Sequence, residues 1–338
     1  MIYPLPIKQG DTIGITAPSD GITETLEINR LDNAIRNFKL IGYNIKETTN
    51  VRMSHIGRSS SAKQRAIQFE NLLQDESVSF IITATGGDFL LEMLSQIDVE
   101  VIKNNPKWIQ GYSDPTSLLF YITTKLDIAT IYANNFKTFG MEKWHKSLED
   151  NLKILNGNNI EQKSFDKYEQ KELEKVIGNE GYNLDSDVYW KIISKENSID
   201  ITGRLIGGCL DCLSDCIFGT KFDNTVNFIE KYKADGIIWY FDNCELTSEQ
   251  LVRAMWKFKN AGWFKYAKCI VFGRPLFEKS CYNVSYEQAI QTSLKELNIP
   301  IIINADVGHV SPRMTFINGG IAQLHCKDGK AKINFKKE

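Results

Sequence analysis

The feature that most constrains the fold is the alternation of short apolar runs with helical patterns over the first 140 residues. Residues 80–85 are apolar or β-branched at every position, which is typical of a strand covered on both faces. Residues 23–41 and 60–74 instead carry apolar side chains at helical spacing. This alternation predicts βαβ units and a mostly parallel, Rossmann-like sheet. Further strands are predicted at 11–18, 44–49, 107–112 and 128–133, and further helices at 89–96 and 115–126.

The regular pattern ends near residue 145 and returns at residue 201. The segment 146–200 is rich in Lys, Glu, Asn and Asp, and we interpret it as a polar linker with a short helix at 166–177 and some strand at 188–194. We therefore predict an N-terminal α/β domain over 1–145 and a C-terminal α/β domain with a mixed sheet over 201–338. Strands of the second domain are predicted at 201–208, 235–241, 267–273 and 299–305, helices at 209–219, 247–260 and 285–297, and a terminal hairpin-like pair at 314–337.

Charge and apolar patterning exclude several classes of protein. The 338 residues include 40 basic and 42 acidic side chains, so the chain lacks the net positive charge typical of proteins that bind nucleic acid or anionic membranes. No apolar run is long enough to span a bilayer, and the start of the chain lacks the regions of a secretory signal. Seven cysteines, an odd number, argue against a disulfide scaffold. We expect a cytoplasmic protein with neither a nucleic-acid nor a membrane partner.

The loops after Ala17, Thr85 and Tyr112 are the first candidates for a binding site, because ligands of parallel α/β sheets bind at the carboxyl ends of the strands. The second of these loops begins with Gly86 and Gly87. A glycine pair at a strand end lets the backbone approach a ligand closely. The alternative is a tight turn that requires a positive φ.

Ser113 lies in the third loop, between a predicted strand and a predicted helix. A small nucleophile there projects at the sheet edge, where the N–H groups of the helix N-terminus can stabilise an oxyanion. The arrangement follows the logic of a nucleophile elbow, although the residues do not fit G-x-S-x-G. The alternative is that Ser113 or Asp114 caps the helix, with Pro115 in its first turn.

His309 has the best context of the four histidines, since it follows a predicted strand in the sequence Gly-His-Val-Ser-Pro. A histidine on such a loop suits a general base, because this side chain generally titrates near neutral pH. The alternative is a loop histidine that bonds only to backbone. Asp242 ends another strand, with Glu245 three residues later, and a carboxylate there could hold the second nitrogen of the histidine. The alternative for Asp242 is an Asx-turn.

Two other motifs favour structural roles. Cys209, Cys212 and Cys216 have the spacing of a metal half-site, but they also share one face of a helix and have no matching Cys/His cluster nearby. We interpret them as buried thiols and expect no metal. The chain lacks G-x-G-x-x-G and the P-loop, which argues against a nucleotide-binding oxidoreductase on this sheet.

Six blocks in order between residue 10 and about residue 320 together resemble the LD-carboxypeptidase family, which also contains the microcin C immunity hydrolases. Any one block is weak, and the order of all six carries the resemblance. The blocks are GDTIGITAPSDG, ATGGDFLLEML, IQGYSDPTSLL, TGRLIGGCLDCL, IIWYFDNCEL and DVGHVSP.

The resemblance implies a serine on the N-terminal domain and a glutamate and a histidine on the C-terminal domain. By position, Ser113 falls on the nucleophile and His309 on the general base, while the backbone N–H groups of Gly87 and Asp114 fall on the oxyanion hole. The triad glutamate falls on Asp242, which is one methylene shorter. Three alternatives follow: Asp242 orients the histidine, Glu245 does so instead, or the triad is weakened. The resemblance implies no cofactor and a homodimer.

The function implied is that of a serine carboxypeptidase that cuts an L,D-peptide bond, as in the cytoplasmic recycling of murein tetrapeptides. One alternative is a microcin C immunity-like hydrolase of acylated aminoacyl-nucleotides or other small peptides. Another is a catalytically weakened homologue that binds peptides. Murein-cleaving members of the family tend to carry an arginine before the glycine pair, where this chain has Thr85. That departure bears on the choice of substrate, because the arginine would suit a substrate carboxylate.

Overall fold

Residues 1–158 and 161–336 are described by a computed structural model of the chain. They divide into two units. The first contains residues 1–158 and 172–182, and the second contains the rest of the described chain. None of the helices in these ranges is long and apolar enough to cross a membrane.

The first unit is built on parallel strands that alternate with helices. Its strands are β1 (Thr12–Thr16), β2 (Asn44–Glu47), β3 (Val78–Thr83), β4 (Trp108–Gly111) and β5 (Thr130–Tyr132). Its helices are α1 (Thr25–Leu40), α2 (Ala62–Gln74), α3 (Leu90–Leu94), α4 (Val99–Asn104), α5 (Thr116–Leu126) and α6 (Lys146–Leu155), with short 3-10 helices at Thr49–Arg52 and Phe136–Gly140.

The strands of the first unit lie in the order β2–β1–β3–β4–β5, and all four neighbouring pairs are parallel. This is one of the common doubly wound orders, whose direction reverses between β1 and β3. The central strands are buried on both faces, as their apolar sequences predict. The loops after β1, β3 and β4 therefore lie at one edge of the sheet.

Residues 172–182 belong to the first unit because polar contacts hold them there. Arg30 of α1 donates to the carbonyl oxygens of Gly178 and Glu180, both at 3.0 Å. Lys175 forms an ion pair with Glu27 at 3.2 Å. The Glu180 carboxylate accepts the N–H groups of residues 176–178, which fixes a turn.

The second unit contains an eight-stranded mixed sheet. The strands of the unit, eight of which form this sheet, are β6 (Glu161–Lys163), β7 (Lys167–Tyr168), β8 (Ser186–Asp187), β9 (Lys191–Ile192), β10 (Ser198–Cys209), β11 (Ile237–Asp242), β12 (Ala267–Gly273), β13 (Ile301–Ala305), β14 (Phe316–Asn318), β15 (Ile321–Lys327) and β16 (Lys330–Phe335). Its helices are α7 (Leu210–Cys212), a π-helix at Leu213–Ile217, α8 (Thr225–Lys231), α9 (Ser248–Asn260), α10 (Tyr286–Leu294) and a 3-10 helix at Lys295–Leu297.

The sheet order is β6–β16–β15–β10–β11–β12–β13–β9, with a parallel centre from β10 to β13 and antiparallel strands on both sides. Trp239, Phe258 and Trp263 stack in its core, the last two with ring centroids 4.1 Å apart. Helix α9 begins with a capping box between Thr247 and Gln250. The predicted fold class, a parallel sheet followed by a mixed one, is confirmed.

Two local predictions, for the segments 166–177 and 209–219, were wrong. Residues 166–177 form no helix: they lie in β7 and in irregular backbone. This segment has few apolar side chains to bury, so its helix-forming Lys and Glu residues have no packing to hold a short helix. Residues 209–219 are not one regular helix either, because Cys209 ends β10 and the π-helix follows α7. The described part of the segment 146–200 contains α6, the four short strands β6 to β9 and the first residues of β10.

Replacing Gly207 with alanine should lower the free energy of unfolding by about 3 kcal/mol or more. A Cβ atom there would lie 1.8 Å from the Tyr240 carbonyl oxygen on the neighbouring strand. Gly181→Ala is the matched control, since its Cβ would meet no atom within 4 Å. It should change the free energy by less than about 0.5 kcal/mol in urea unfolding. Equal stability of the two variants would contradict the close β10–β11 spacing.

Candidate active site

Ser113 lies in the turn between β4 and α5, partly exposed, with a φ of 70°. Its carbonyl oxygen accepts the N–H of Thr116 at 2.9 Å, so the chain turns directly into the helix. A left-handed conformation at a serine costs about 1–3 kcal/mol and persists only where the surroundings impose it. Helix α5 begins after Pro115, whose φ and ψ are already helical, and no side chain caps the helix at that residue. The geometry is that of a strained strand–turn–helix elbow.

Glycine backbone packs directly against this elbow. A Cβ at Gly86 would lie 3.0 Å from Ser113 Oγ, and a Cβ at Gly111 would lie 2.4 Å from Thr83 Oγ1. Asn135 fixes the turn from the other side, because its Oδ1 accepts the Tyr112 N–H at 3.1 Å and the Thr83 hydroxyl at 2.6 Å. The glycine turn after β3 and the serine after β4 are therefore neighbours.

The Asp114 carboxylate links this elbow to the loop after β1. Its Oδ2 accepts the Ser19 hydroxyl at 2.5 Å and the Leu90 N–H at 2.8 Å. Gly87 has a φ of 147°, and a Cβ there would lie 2.3 Å from Ser19 Oγ. Ser19 thus touches both Asp114 and Gly87, the two residues predicted to donate backbone N–H groups to an oxyanion.

Burial raises the pKa of Asp114 to about 6. The nearby charge of Asp88 adds to this effect, while the hydrogen bonds from Ser19 and Leu90 and the charge of Arg65 oppose it. Asp114 is only 2% exposed, so removal of its carboxyl group from water outweighs the bonds that favour the ionised form.

In the second unit, Asp242 ends β11 and is fully buried. Its Oδ2 lies 2.6 Å from His309 Nδ1, and its Oδ1 accepts the His309 backbone N–H at 3.1 Å. Glu245 has an exposed side chain, and its backbone N–H donates to Asp211 at 2.9 Å. Of the two candidate acids, the structure therefore pairs Asp242 with the histidine.

The loop that carries His309 is held from several sides. Gly308 has a φ of 100°, and a Cβ there would lie 1.9 Å from Asp242 Oδ1, so only glycine permits the approach. Buried Arg313 donates to the carbonyl oxygens of Gly308 and His309. Asp306, two residues before Gly308, is buried and forms an ion pair with Arg274 at 2.7 Å. The imidazole is consequently fixed in orientation, with 11% of the side chain exposed.

The predicted site residues thus fall into two groups: Ser113, Gly87 and Asp114 in the first unit, Asp242 and His309 in the second. Residue patterns did not reveal Ser19 or Asp211. Ser19 could have been found from its place in the loop after β1. Asp211, which binds the N–H groups of residues 244–246, gave no signal.

The three cysteines do not share one helix face, because Cys209 belongs to β10. Cys209 and Cys212 are buried and Cys216 is half-buried. Cys209 lies opposite Asp242 in the parallel register of β10 and β11.

Comparison with known proteins adds to this geometry. The sequence profile described as "LD-carboxypeptidase N-terminal domain" matches residues 13–133, and the one described as "LD-carboxypeptidase C-terminal domain" matches residues 202–324. Together the two profiles cover more than two thirds of the chain.

Individual relatives align over almost the whole chain. YocD of Bacillus subtilis, named provisionally as a carboxypeptidase, is 27% identical over 98% of each sequence. The microcin C7 self-immunity protein MccF of Escherichia coli is 26% identical over 92% of this chain and 89% of its own. A crystal structure of an MccF-like protein from Bacillus anthracis has a TM-score of 0.83, with 25% identity over all of both chains.

We expect the difference in stability between the wild type and Asp114→Asn to change between about pH 4 and pH 7. Because the folded-state pKa is raised to about 6, the unfolded chain loses this proton first as the pH rises. Wild-type stability should therefore fall relative to the variant by roughly 3 kcal/mol across that window, at about 1.4 kcal/mol per pKa unit. Urea unfolding at several pH values measures the difference.

Glu76→Gln is the control for this experiment, since it removes an exposed carboxylate that precedes β3, at the edge of the sheet opposite to Asp114. Its stability relative to the wild type should vary by less than about 0.5 kcal/mol over the same range. If the stability difference between the wild type and Asp114→Asn also stayed constant with pH, Asp114 would have an ordinary pKa in the folded protein.

Proposed function

Because the chain belongs to the LD-carboxypeptidase family, we propose that it is a serine carboxypeptidase that cleaves an L,D-peptide bond through an acyl-enzyme on Ser113. The family is one of hydrolases. The observation that carries the serine assignment is the strained conformation of Ser113 between β4 and α5. A left-handed serine at the carboxyl end of a parallel strand is the arrangement that nucleophile elbows use to expose a hydroxyl.

In the proposed reaction, Ser113 Oγ attacks the scissile carbonyl carbon and His309 takes the hydroxyl proton. The 2.6 Å contact between His309 Nδ1 and Asp242 supports this role for the histidine. A proton on Nδ1 that is donated to Asp242 leaves Nε2 as the base, and the carboxylate stabilises the imidazolium that forms. Return of that proton to the leaving amine yields the acyl-enzyme, which water then hydrolyses.

The oxyanion of the tetrahedral intermediate is proposed to accept the backbone N–H groups of Gly87 and Asp114. The position of Gly86 beside Ser113 Oγ supports a role for this turn, since it holds glycine backbone next to the nucleophile. The position of Ser19 also supports this oxyanion hole. Ser19 contacts both Asp114 and Gly87, the two residues whose backbone N–H groups are the proposed donors. Donors fixed before the reaction need no reorganisation when charge develops on the oxygen.

The proposed substrate is a murein tetrapeptide, which would lose its terminal D-alanine. Recycling of murein peptides, a cytoplasmic location and a homodimer are what the family implies, and they remain predictions. A second candidate substrate is an acylated aminoacyl-nucleotide. It is favoured by Thr85, which replaces the expected arginine, and by the similarity to MccF, whose structure has been solved in complex with aspartyl sulfamoyl adenosine.

The two candidate substrates can be separated directly. We expect the wild type to release D-alanine from a murein tetrapeptide, measured by mass spectrometry, and Ser113→Ala to be slower by roughly 10⁴-fold or more. A fluorophosphonate probe should label the wild type and leave Ser113→Ala unlabelled. If the enzyme cleaves an acylated sulfamoyl-adenosine but not the murein tetrapeptide, the substrate is of the second class. Binding of the tetrapeptide without labelling or turnover would indicate a weakened homologue that binds peptides.

Asp242→Asn should lower turnover by roughly 10⁴-fold, the cost of losing the orienting acid in related triads. Glu245→Gln is the matched control and should leave turnover within about twofold, because its side chain is exposed and Asp242 already holds the histidine. Rates of D-alanine release from both variants make the comparison. A larger loss in Glu245→Gln would assign the acid to Glu245.

A further inference from the structure

Three potential metal ligands meet where β10 and β11 end. Cys209 and Asp242 are opposite each other in the parallel register, so their side chains lie on the same side of the sheet. His309 joins them through its contact with Asp242. One ligand atom from each of the three residues lies within 4.8 Å of the other two.

This set of donors matches the preference of one class of ion. Thiolate, imidazole and carboxylate are the ligands of zinc in proteins, with bonds of about 2.0–2.3 Å. In a tetrahedral site, bonds of that length separate the ligand atoms by about 3.3–3.8 Å. The ligand atoms of Asp242 and His309, which are 2.6 Å apart, would have to separate by about 1 Å, and a pair of ligand atoms 4.8 Å apart would have to approach by about 1 Å. Three protein ligands leave the fourth position to water.

The surrounding charge favours a cation. The Cys209 thiol lies 3.5 Å from Asp211 Oδ2, and Asp242 is nearby. The Asp211 carboxylate accepts hydrogen bonds from the N–H groups of residues 244–246. It therefore contributes negative charge without acting as a ligand. These two carboxylates would stabilise a divalent cation beside the thiol.

We propose that Cys209, Asp242 and His309 form a binding site for Zn²⁺ that inhibits the hydrolase. Binding replaces the thiol proton, which is released to solvent. The imidazole becomes a ligand through Nδ1, the nitrogen beside Asp242, and the proton of Nδ1 is transferred through solvent to Nε2. His309 can then no longer accept a proton from a nucleophile. The metal site rests on the positions of the three side chains, and only the inhibition rests on the proposed function.

Cobalt titration tests the site independently of any activity. Co²⁺ is a spectroscopic substitute for Zn²⁺, and a thiolate ligand gives it a charge-transfer absorption in the near ultraviolet. The wild type should bind one Co²⁺ per chain with this band, and Zn²⁺ should abolish the band by displacement. The band should be absent in Cys209→Ser and unchanged in Cys281→Ser, which removes an exposed cysteine. Persistence of the band in Cys209→Ser would overturn the proposal.

His309→Gln provides a second variant in case Cys209→Ser fails to fold, since the histidine side chain is partly exposed. Loss of a ligand should weaken Co²⁺ binding by about 10- to 100-fold or more, and unchanged binding would overturn the site. Zn²⁺ should inhibit D-alanine release by the wild type and Cys281→Ser, with recovery on addition of EDTA. Zn²⁺ binding without inhibition of an active enzyme would overturn the regulatory role. If no substrate is cleaved, the cobalt results still decide the metal site.

Discussion

The close packing of glycine backbone against polar side chains is the constraint on which both groups of site residues depend. Gly86 lies against Ser113, Gly87 against Ser19 and Gly308 against Asp242, in each case with less room than a Cβ atom requires. A larger residue would move the polar group it touches by about an ångström or more at Gly87 and Gly308, and by a few tenths of an ångström at Gly86. The glycines therefore act less as flexible hinges than as spacers that set how near the functional groups come to the backbone.

Two buried carboxylates, Asp114 and Asp242, illustrate how the same chemical group can have different surroundings. Asp114 accepts hydrogen bonds from Ser19 and Leu90, yet burial raises its pKa to about 6. Asp242 contacts both the ring and the backbone of His309, so a short aspartate reaches the histidine without the extra methylene of glutamate. The backbone approach allowed by Gly308 compensates for the shorter side chain.

Most elements with a strong apolar period could be predicted. The predicted strand 80–85 overlaps β3, and the predicted helix 115–126 differs from α5 by one residue. Helix α6 was missed because charged residues surround its few buried positions, such as Leu148 and Leu155. The π-helix after α7 could not be foreseen, since it differs from an α-helix only in hydrogen bonding.

The sequence by itself determined the alternation of strands and helices, and with it the loops in which Ser113 and His309 had to lie. Only the tertiary structure decided the partners. Ser19 reaches Asp114 across 95 residues of chain, and Asp242 rather than Glu245 holds the histidine. Cys209 joins that pair because two strands are in register. The physical reason is that periodicity is a local property of the chain, whereas hydrogen bonds between distant residues depend on strand register and on backbone spacing.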